Sequence, residues 1–465
     1  MENKESKLFK NSIFYMIGNF GTKFLNFFLV PIYGRVLSTE DFGNYDFVVI
    51  ILNFLMPIIT LSFERGMYVF LYEEDDDEYR KKVISTIFTV MTLNIFTLSI
   101  VAFFIKRYIT QMTFLIILLA DFKAFYLLFM QACRGFKRNL VYSIGGILYS
   151  LIFALGNILC LVILKLDYTT LFLVDIIACV VTIIYIELQL HLLYKYIRPY
   201  FDKEIGVKIL KYSLPMIGNK ISWNIMNISD RLLLTLVLGA SANGLYAMAN
   251  KFPSFLTTIN TVLYLAWSDS VLENKADKDF KLYFNNMYNG YCSKLFNLSA
   301  LLIAVNRIVF QVIVGDTFYE GYKYSVILYF AMIFYGMSSF IETLFDKNKD
   351  SKSSAISAFV GAILNFCIDL ILLNKIGIYA AAVSSVIGFF VMYLMRIIML
   401  RKEIKLKFDK EVKLDVLILL FAGMLSYILR GIWEFVFILL ILIYIFWRNY
   451  KLLNRLLKKI MKVKC

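Results

Sequence analysis

Residues 12–34 read SIFYMIGNFGTKFLNFFLVPIYG, a run with a single charged side chain, Lys23. About 20 apolar residues suffice for an α-helix to cross the roughly 30 Å hydrocarbon core of a membrane. Similar runs follow at 41–63, 83–105, 111–133, 141–164, 168–194, 209–238, 242–268, 286–314, 324–346, 354–374, 376–400, 414–430 and 432–447. The sequence therefore predicts an all-α integral membrane fold with about 14 transmembrane helices. The last two runs are short and meet at Gly431, so 12 spans followed by a hairpin is the alternative.

The composition agrees with a membrane protein and excludes several other classes. Only 18% of the 465 residues are charged, against about 25% in typical soluble domains. One His and six Cys provide no His cluster for a metal, no Cys-x-x-Cys pair and no Ser-His-Asp triad. The sequence also lacks the Gly-x4-Gly-Lys-Ser/Thr loop that binds nucleotide phosphates. We therefore expect no metal or nucleotide cofactor and no catalytic centre of these types.

The basic residues predict the orientation of the chain. The net charge is +15, and the Lys and Arg side chains concentrate in every second connecting segment. Because basic loops are retained on the cytoplasmic side, both termini are expected to be cytoplasmic. A basic soluble chain would suggest nucleic acid as a partner, but here the excess is expected to face the lipid bilayer or the cargo.

An internal repeat predicts two lobes. The tetrapeptide MIGN at 16–19 recurs at 216–219, entering the first and seventh spans. Since both spans start on the same side, the repeats are parallel, which in transporters places a binding site between the halves. We expect an N-lobe at 1–200 and a C-lobe at 201–400, each with six helices. A C-terminal helix pair and a basic cytoplasmic tail occupy 401–465.

Polar residues within the spans predict a cationic cavity. Asn19, Lys23 and Asn26 follow i, i+4, i+7 spacing, and Lys220, Asn224, Asn227 and Arg231 extend the same spacing in the repeat, so each set lies on one helical face. Charge at mid-membrane is costly and requires a partner or a wet cavity. The candidate substrate-binding residues are Lys23, Lys220, Lys251, Arg231, Asn19, Asn26, Asn224, Asn227 and Arg307. Ordinary hydrogen bonding between helices is the alternative for the amides.

Other charged residues within spans have simpler interpretations. Lys294 and Arg396 lie near span ends, where long side chains extend to the membrane surface. Lys123 requires an acidic partner or a wet cavity, and Asp121 is too close along the helix to pair with it directly. The acids within spans, such as Asp175 and Asp369, are each expected either to neutralise a lysine or to bind a coupling ion, Na⁺ or H⁺.

Three segments carry a resemblance to a known family. They are 24–46, with Pro31, Tyr33, Arg35, Leu37, Phe42-Gly43 and Tyr45-Asp46; 230–251, with Asp230-Arg231, Gly239, Gly244, Tyr246 and Lys251; and 376–384, with Ile376-Gly377, Tyr379-Ala380-Ala381-Ala382 and Ser384. Together they resemble the bacterial polysaccharide transport family, the O-antigen flippases and exporters of capsular or exopolysaccharide repeat units. The third segment lacks the proline often seen just before it.

The resemblance implies a fold, a cargo and partners. The fold is that of the multidrug/oligosaccharidyl-lipid/polysaccharide flippase superfamily, with alternating access between two lobes. The cargo is a polyprenyl-diphosphate-linked oligosaccharide, flipped from the inner to the outer leaflet of the bacterial cytoplasmic membrane for surface polysaccharide biosynthesis. A polysaccharide polymerase and assembly proteins are the implied partners, and the cationic lining agrees with an anionic cargo.

Three rival functions remain open. A multidrug and toxin cation antiporter of the same superfamily is expected to carry an acidic site in its N-lobe, whereas the first span has Lys23. The peptidoglycan-precursor flippase is expected to carry several arginines in that span, and none is present. A membrane-embedded glycosyl- or acyltransferase would need a catalytic Asp or His signature, but His191 is the single histidine and has no evident partner.

Overall fold

The computed structural model describes residues 28–73, 76–104, 111–198, 200–273, 279–348 and 350–463. These residues form α-helices and no strand. The chain divides into two compact units, Met1–Ile228 and Ser229–Cys465. The division falls within one long helix, and the predicted lobe boundary between 200 and 201 stays a prediction.

The described helices are α1 to α16 in chain order. Those up to the unit division are α1 (28–36), α2 (Thr39–Ile59), α3 (Phe63–Glu73), α4 (Asp77–Phe104), α5 (Gln111–Gly135), α6 (Asn139–Ile158), α7 (Thr170–Leu190) and α8 (Lys203–Leu238), which crosses it. The others are α9 (Ala240–Lys251), α10 (Pro253–Glu273), α11 (Phe280–Val309), α12 (Gly321–Asn348), α13 (Ser351–Ile376), α14 (Ile378–Leu400), α15 (Lys410–Ile428) and α16 (Ile432–Val463).

Ten helical segments of the described chain are long and apolar enough to cross a membrane. They are Thr39–Ile59, Asp77–Leu98, Thr113–Gly135, Asn139–Ile163, Thr170–Leu190, Phe280–Val314, Gly321–Phe345, Lys352–Ile376, Ile378–Leu400 and Ile432–Tyr450. Each coincides with a predicted span, so the prediction of an all-helical, multi-pass membrane protein is confirmed. The predicted span 12–34 begins outside the described residues, and the exact count of fourteen stays a prediction.

The predicted span 242–268 is divided. The helix ends at Lys251 and a new one starts at Pro253, because proline lacks the N–H that would continue the backbone ladder. The hydroxyl of Ser254 donates to the carbonyl of Lys251 at 2.7 Å. This bond satisfies one of the backbone acceptors at the break.

Small residues allow the backbones of α13 and α14 to approach closely in the second unit. A Cβ added to Gly361 on α13 would lie 2.8 Å from the carbonyl oxygen of Gly388 on α14, and the reverse distance is 2.9 Å. Membrane helices commonly approach through such small residues, since van der Waals packing drives their association. The contact fixes α13 against α14, two of the helices that hold the candidate site.

The C-terminal pair, α15 and α16, packs on α11 within the second unit. Asp415 of α15 is buried and accepts hydrogen bonds from Ser293 at 2.6 Å, Asn297 at 3.1 Å and Tyr444 at 2.6 Å. One carboxylate thus joins α11, α15 and α16. The turn between the pair is at Gly431, whose φ of +63° is in the left-handed region that glycine adopts without strain.

Candidate functional site

The predicted cationic stripes lie only partly within the described structure. Asn19, Lys23 and Asn26 are outside the described residues. Lys220, Asn224 and Asn227 belong to α8, whose backbone is helical throughout, so their shared face follows from the helix register. Their side chains are outside the described part, and the role of both stripes stays a prediction.

The structure describes three other predicted cavity residues: Lys251, Arg231 and Arg307. Lys251 is half-buried at the C-terminus of α9. Arg231 is half-buried in α8, directly after Asp230. Arg307 of α11 donates to the hydroxyl of Tyr319 at 2.7 Å and to the carbonyl of Leu429 at 3.0 Å. Arg307 therefore ties α11 to the end of α15, and its predicted contact with substrate stays a prediction.

The hydroxyls of Thr257 and Thr261, on α10 just after Lys251, donate hydrogen bonds within α10. Thr257 donates to the carbonyl of Ser254 at 2.6 Å, and Thr261 donates to the carbonyl of Thr257 at 2.8 Å. Such bonds to a carbonyl one turn back occupy the hydroxyl proton without a partner helix. The oxygens still have lone pairs, so these positions act as acceptors toward any further group.

Lys123 is paired, and sequence reasoning missed its partner. Its Nζ lies 2.6 Å from Oδ2 of Asp175, and the hydroxyl of Tyr149 donates to Oδ1 of the same carboxylate at 2.6 Å. Asp175 is buried on α7, 52 residues from Lys123 along the chain. Lys123 and Asp175 neutralise each other and join α5 to α7. Removing one member of such a buried pair destabilises the fold, because it leaves the other charge without a partner.

The expectation for Arg396 was wrong. Its side chain is 1% exposed, lies 3.0 Å from Oε2 of Glu342 and donates to the carbonyl of Ser338 at 2.9 Å. Ser357 and Ser354 take further hydrogen bonds from the guanidinium. Arg396 therefore extends into the protein, and not to the membrane surface, because α12 and α13 offer acceptors for its fork of donors.

The main polar site of the second unit contains two buried carboxylates. We call it the carboxyl cluster: Asp230 of α8, Tyr246 of α9, Asp369 of α13 and Ser385 of α14. The hydroxyls of Ser385 and Tyr246 both donate to Oδ2 of Asp230, at 2.6 and 2.9 Å. Four helices thus supply one site, and its members are up to 155 residues apart in the chain.

Asp369 is the unusual member of the carboxyl cluster. It is 0% exposed, and neither carboxylate oxygen accepts a hydrogen bond of normal length and angle from a described residue, although the hydroxyl of Ser384 lies close to it. Oδ1 of Asp230 has no described partner either, and the two carboxyls are within hydrogen-bonding reach of each other. Two ionised carboxylates are acceptors only. The pair therefore needs a proton or a cation between its oxygens.

Neutral oxygens and amides surround this pair. Asn365, one helical turn before Asp369, donates to Ser384 at 3.3 Å and accepts from Ser229 at 3.3 Å. The hydroxyl of Ser384 donates a hydrogen bond to the carbonyl of Ala381 at 3.0 Å. Oxygen donors of this kind suit a hard cation or a proton. The described residues contain no group of three or more His, Cys, Asp or Glu side chains that could hold a metal ion.

Part of this site was visible in the sequence. Asn365 and Asp369 follow i, i+4 spacing, which places both on one face of a helix, and Asp230 and Tyr246 lie in the segment that carries the family resemblance. Asp369 was predicted only as one of several acids that neutralise a lysine or bind an ion. The sequence contains no signal that joins Asp369 to Asp230, since their proximity depends on how α8, α13 and α14 pack.

Comparisons with known proteins agree with this architecture. Residues 8–272 match the family described as "Polysaccharide biosynthesis protein". The solved structure titled "Lipid II flippase MurJ, inward closed conformation" has a TM-score of 0.71 at 16% identity, covering 95% of this chain and 100% of that one. An inward-facing multidrug resistance MATE family transporter of the MOP superfamily has 0.64 at 14% identity, covering 82% and 96%.

A MATE transporter from Vibrio cholerae, VcmN, gives a TM-score of 0.55 at 13% identity, covering 89% of this chain and 100% of that one. At these identities the likeness concerns the fold, which is the one shared by MurJ and MATE transporters. A search of curated protein sequences gives no match.

Proposed function

The chain belongs to the polysaccharide biosynthesis protein family, and from this premise we propose that it is a flippase. It moves an anionic polyprenyl-diphosphate-linked oligosaccharide from the inner to the outer leaflet of the bacterial cytoplasmic membrane, with both termini cytoplasmic. The product supplies the synthesis of a surface polysaccharide, such as O-antigen, capsule or exopolysaccharide. The observation that carries the proposal is the fold, which matches a structure titled lipid II flippase over 95% of the chain.

The basic residues of the spans support an anionic cargo. Lys23, Lys220 and Lys251 would contact the diphosphate, because ammonium groups form short, charge-assisted hydrogen bonds with phosphate oxygens. Outward movement of an anion is favoured by an inside-negative membrane potential, at about 2.3 kcal/mol per charge per 100 mV traversed. The sequence has no nucleotide-binding loop, so this potential or an ion gradient would supply the driving force.

The carboxyl cluster is our candidate for the coupling site. A Na⁺ ion or a proton between Asp230 and Asp369 would neutralise the buried pair and satisfy oxygens that lack partners. An ion shifts a conformational equilibrium only by its difference in affinity for the two states. Because four helices supply the cluster, a rearrangement among them changes that affinity. Ion binding and exchange between inward- and outward-open states are then linked.

A MATE-type cation antiporter is the second candidate. Two observations favour it: MATE transporters share the fold, and a pair of buried acids is suited to binding a proton or an organic cation. The pairing of Asp175 with Lys123 supports the flippase, since it removes one buried acid of the first unit as a site for an organic cation. A peptidoglycan precursor is a further cargo with the same polyprenyl-diphosphate chemistry.

Transport in proteoliposomes distinguishes these candidates. A fluorescent polyprenyl-diphosphate oligosaccharide is placed in the membrane, and its outer-leaflet fraction is followed with a membrane-impermeant quencher. The flippase predicts transfer that falls in Lys23→Ala and Lys220→Ala but not in Lys281→Ala, an exposed lysine at the start of α11. Uptake of ethidium without lipid transfer would establish the antiporter instead. Equal transfer by all the variants would contradict the cationic cavity.

A further inference from the structure

A cavity within the second unit has the chemistry of an amphiphilic anion site. It has a volume of about 340 Å³ and lies among α10, α11 and α12, in the lower part of the roughly 300–1,000 Å³ range of small-molecule sites. Its lining is mostly aliphatic and aromatic and includes Asn260, Trp267, Tyr291, Lys294 and Phe340. The carboxyl cluster contributes none of the lining residues.

One wall of the cavity is an aromatic stack. Trp267 and Phe340 lie 4.5 Å apart between ring centroids with planes inclined by 18°, and Tyr291 stacks on the other side at 4.8 Å. The hydroxyl of Tyr291 donates to Oδ1 of Asn260 at 2.6 Å. This bond holds the ring in the stack and orients the amide. The wall is therefore rigid, apolar and suited to a hydrocarbon chain.

The polar groups of the lining are mainly donors. Lys294 is exposed and has no ion pair with a described residue, and no Asp or Glu is among the described residues that line the cavity. Trp267 is 94% buried, yet its Nε1–H has no acceptor among the described side chains and backbone. Asn286 adds an exposed amide. The cavity therefore presents an ammonium, an indole N–H and an amide, and no anionic group among its described residues accepts from them.

The depth of Lys294 agrees with a lipid phosphate. Asn289 of α11 donates to the carbonyl of Lys407 at 2.9 Å and accepts from the backbone N–H of Asp409 at 3.0 Å. The polar loop between α14 and α15 therefore reaches the level of Asn289, and this loop is predicted to be cytoplasmic. Lys294 lies about 7.5 Å further along the helix. With that loop in the cytoplasm, Lys294 lies just below the surface of the inner leaflet.

A lysine at this depth facing hydrocarbon alone would be costly. We propose that the cavity is a second site for the polyprenyl-diphosphate lipid, separate from the predicted one at Lys23, Lys220 and Lys251. Here the diphosphate lies on Lys294 and Trp267 Nε1–H, and the first isoprene units lie against the aromatic stack. This inference rests on the proposed function, because it names where the carrier lipid is held. It is an alternative to the simpler expectation that Lys294 only extends to the membrane surface.

Trp267 provides a direct readout of binding. The chain has four tryptophans, at 223, 267, 433 and 447, and replacing the other three by phenylalanine leaves Trp267 as the only indole fluorophore. Farnesyl diphosphate, a short polyprenyl diphosphate, is titrated into the full-length protein in detergent. We expect saturable quenching, with Lys294→Gln raising the dissociation constant about ten-fold, the effect of one lost charge-assisted hydrogen bond. Lys294→Arg retains binding, as does the control Lys281→Gln.

Gly290 allows a second test that does not threaten the fold. A Cβ added at this lining position meets nothing within 4 Å, so a larger side chain can start here without a clash at the backbone, and we expect Gly290→Leu to fill part of the cavity. We expect it to abolish quenching by farnesyl diphosphate at unchanged thermal stability. Wild-type affinity in both Lys294→Gln and Gly290→Leu would overturn the proposal. So would equal binding of phosphatidylglycerol, of farnesol or of inorganic pyrophosphate alone.

The carrier-lipid site and the flippase function can be refuted separately. Farnesyl diphosphate binding that depends on Lys294, in a protein that moves no lipid-linked oligosaccharide in proteoliposomes, would sustain this site and refute the flippase. Lipid transfer at wild-type rates in Lys294→Gln and Gly290→Leu would sustain the flippase and refute this site.

Discussion

Replacing Asp369 by asparagine tests whether the carboxyl cluster binds a cation. The substitution keeps the shape of the side chain, removes one buried charge and adds an N–H donor that can reach Asp230. An unsatisfied buried polar group costs about 1–3 kcal/mol, and more when it is charged. In choline chloride at pH 8, we therefore expect Asp369→Asn to be more stable than wild type by about 1–3 kcal/mol.

Added Na⁺ should reverse that order. A ligand that binds only the folded state stabilises it by about 2.7 kcal/mol at one hundred times its dissociation constant. For a folded body of 150–250 residues, 1 kcal/mol shifts the melting temperature by about 2–4 °C. We expect the wild type to gain several degrees between choline chloride and NaCl at equal ionic strength, whereas Asp369→Asn gains none. If the bound ion is a proton, the melting temperature of the wild type rises instead when the pH is lowered in the absence of Na⁺.

The assay is thermal unfolding followed by tryptophan fluorescence in detergent. Asp316→Asn is the matched control, since Asp316 is an exposed aspartate of the same unit. It should keep the full response of the wild type to Na⁺ or pH. An Asp369→Asn variant that responds to both ions as the wild type does would refute the cluster as a coupling site.

Three further predictions concern the contacts that hold the helices in place, each read by thermal unfolding unless stated. Lys123→Met leaves Asp175 buried without its cation and should cost about 3–5 kcal/mol, much of which the double variant with Asp175→Leu restores. Gly388→Ala places a Cβ 2.9 Å from the Gly361 carbonyl and should lower the free energy of unfolding by about 1–3 kcal/mol. A loss below about 0.5 kcal/mol, which is typical of surface substitutions, would contradict the close contact. Asp415→Ala removes the acceptor that joins α11, α15 and α16, so limited proteolysis should cleave the 401–409 loop faster than in the Asp316→Asn control; equal cleavage would contradict that role.

The sequence predicted the helices better than it predicted their partners. Hydropathy and length are local properties, and ten predicted spans therefore coincide with described helices. The break at Pro253 was missed because 242–268 was treated as one apolar run, although the proline itself signalled it. The Gly431 turn was predicted correctly from glycine between two short runs.

The charged contacts could not be predicted in this way. Whether Arg396 extends to the surface or into the protein depends on Glu342, which lies 54 residues away. The pairing of Lys123 with Asp175 and the approach of Asp369 to Asp230 likewise depend on packing between helices. A single sequence shows which residues are charged within spans, and the fold decides which of them meet.

Transfer of a fluorescent polyprenyl-diphosphate oligosaccharide across the membrane of proteoliposomes tests the central claim most directly. The account predicts protein-dependent transfer that increases with an inside-negative potential or an imposed ion gradient, and that falls in Lys220→Ala but not in Lys281→Ala. The preparation is first shown to unfold cooperatively. Transfer no faster than in protein-free liposomes under either gradient would then contradict the proposal.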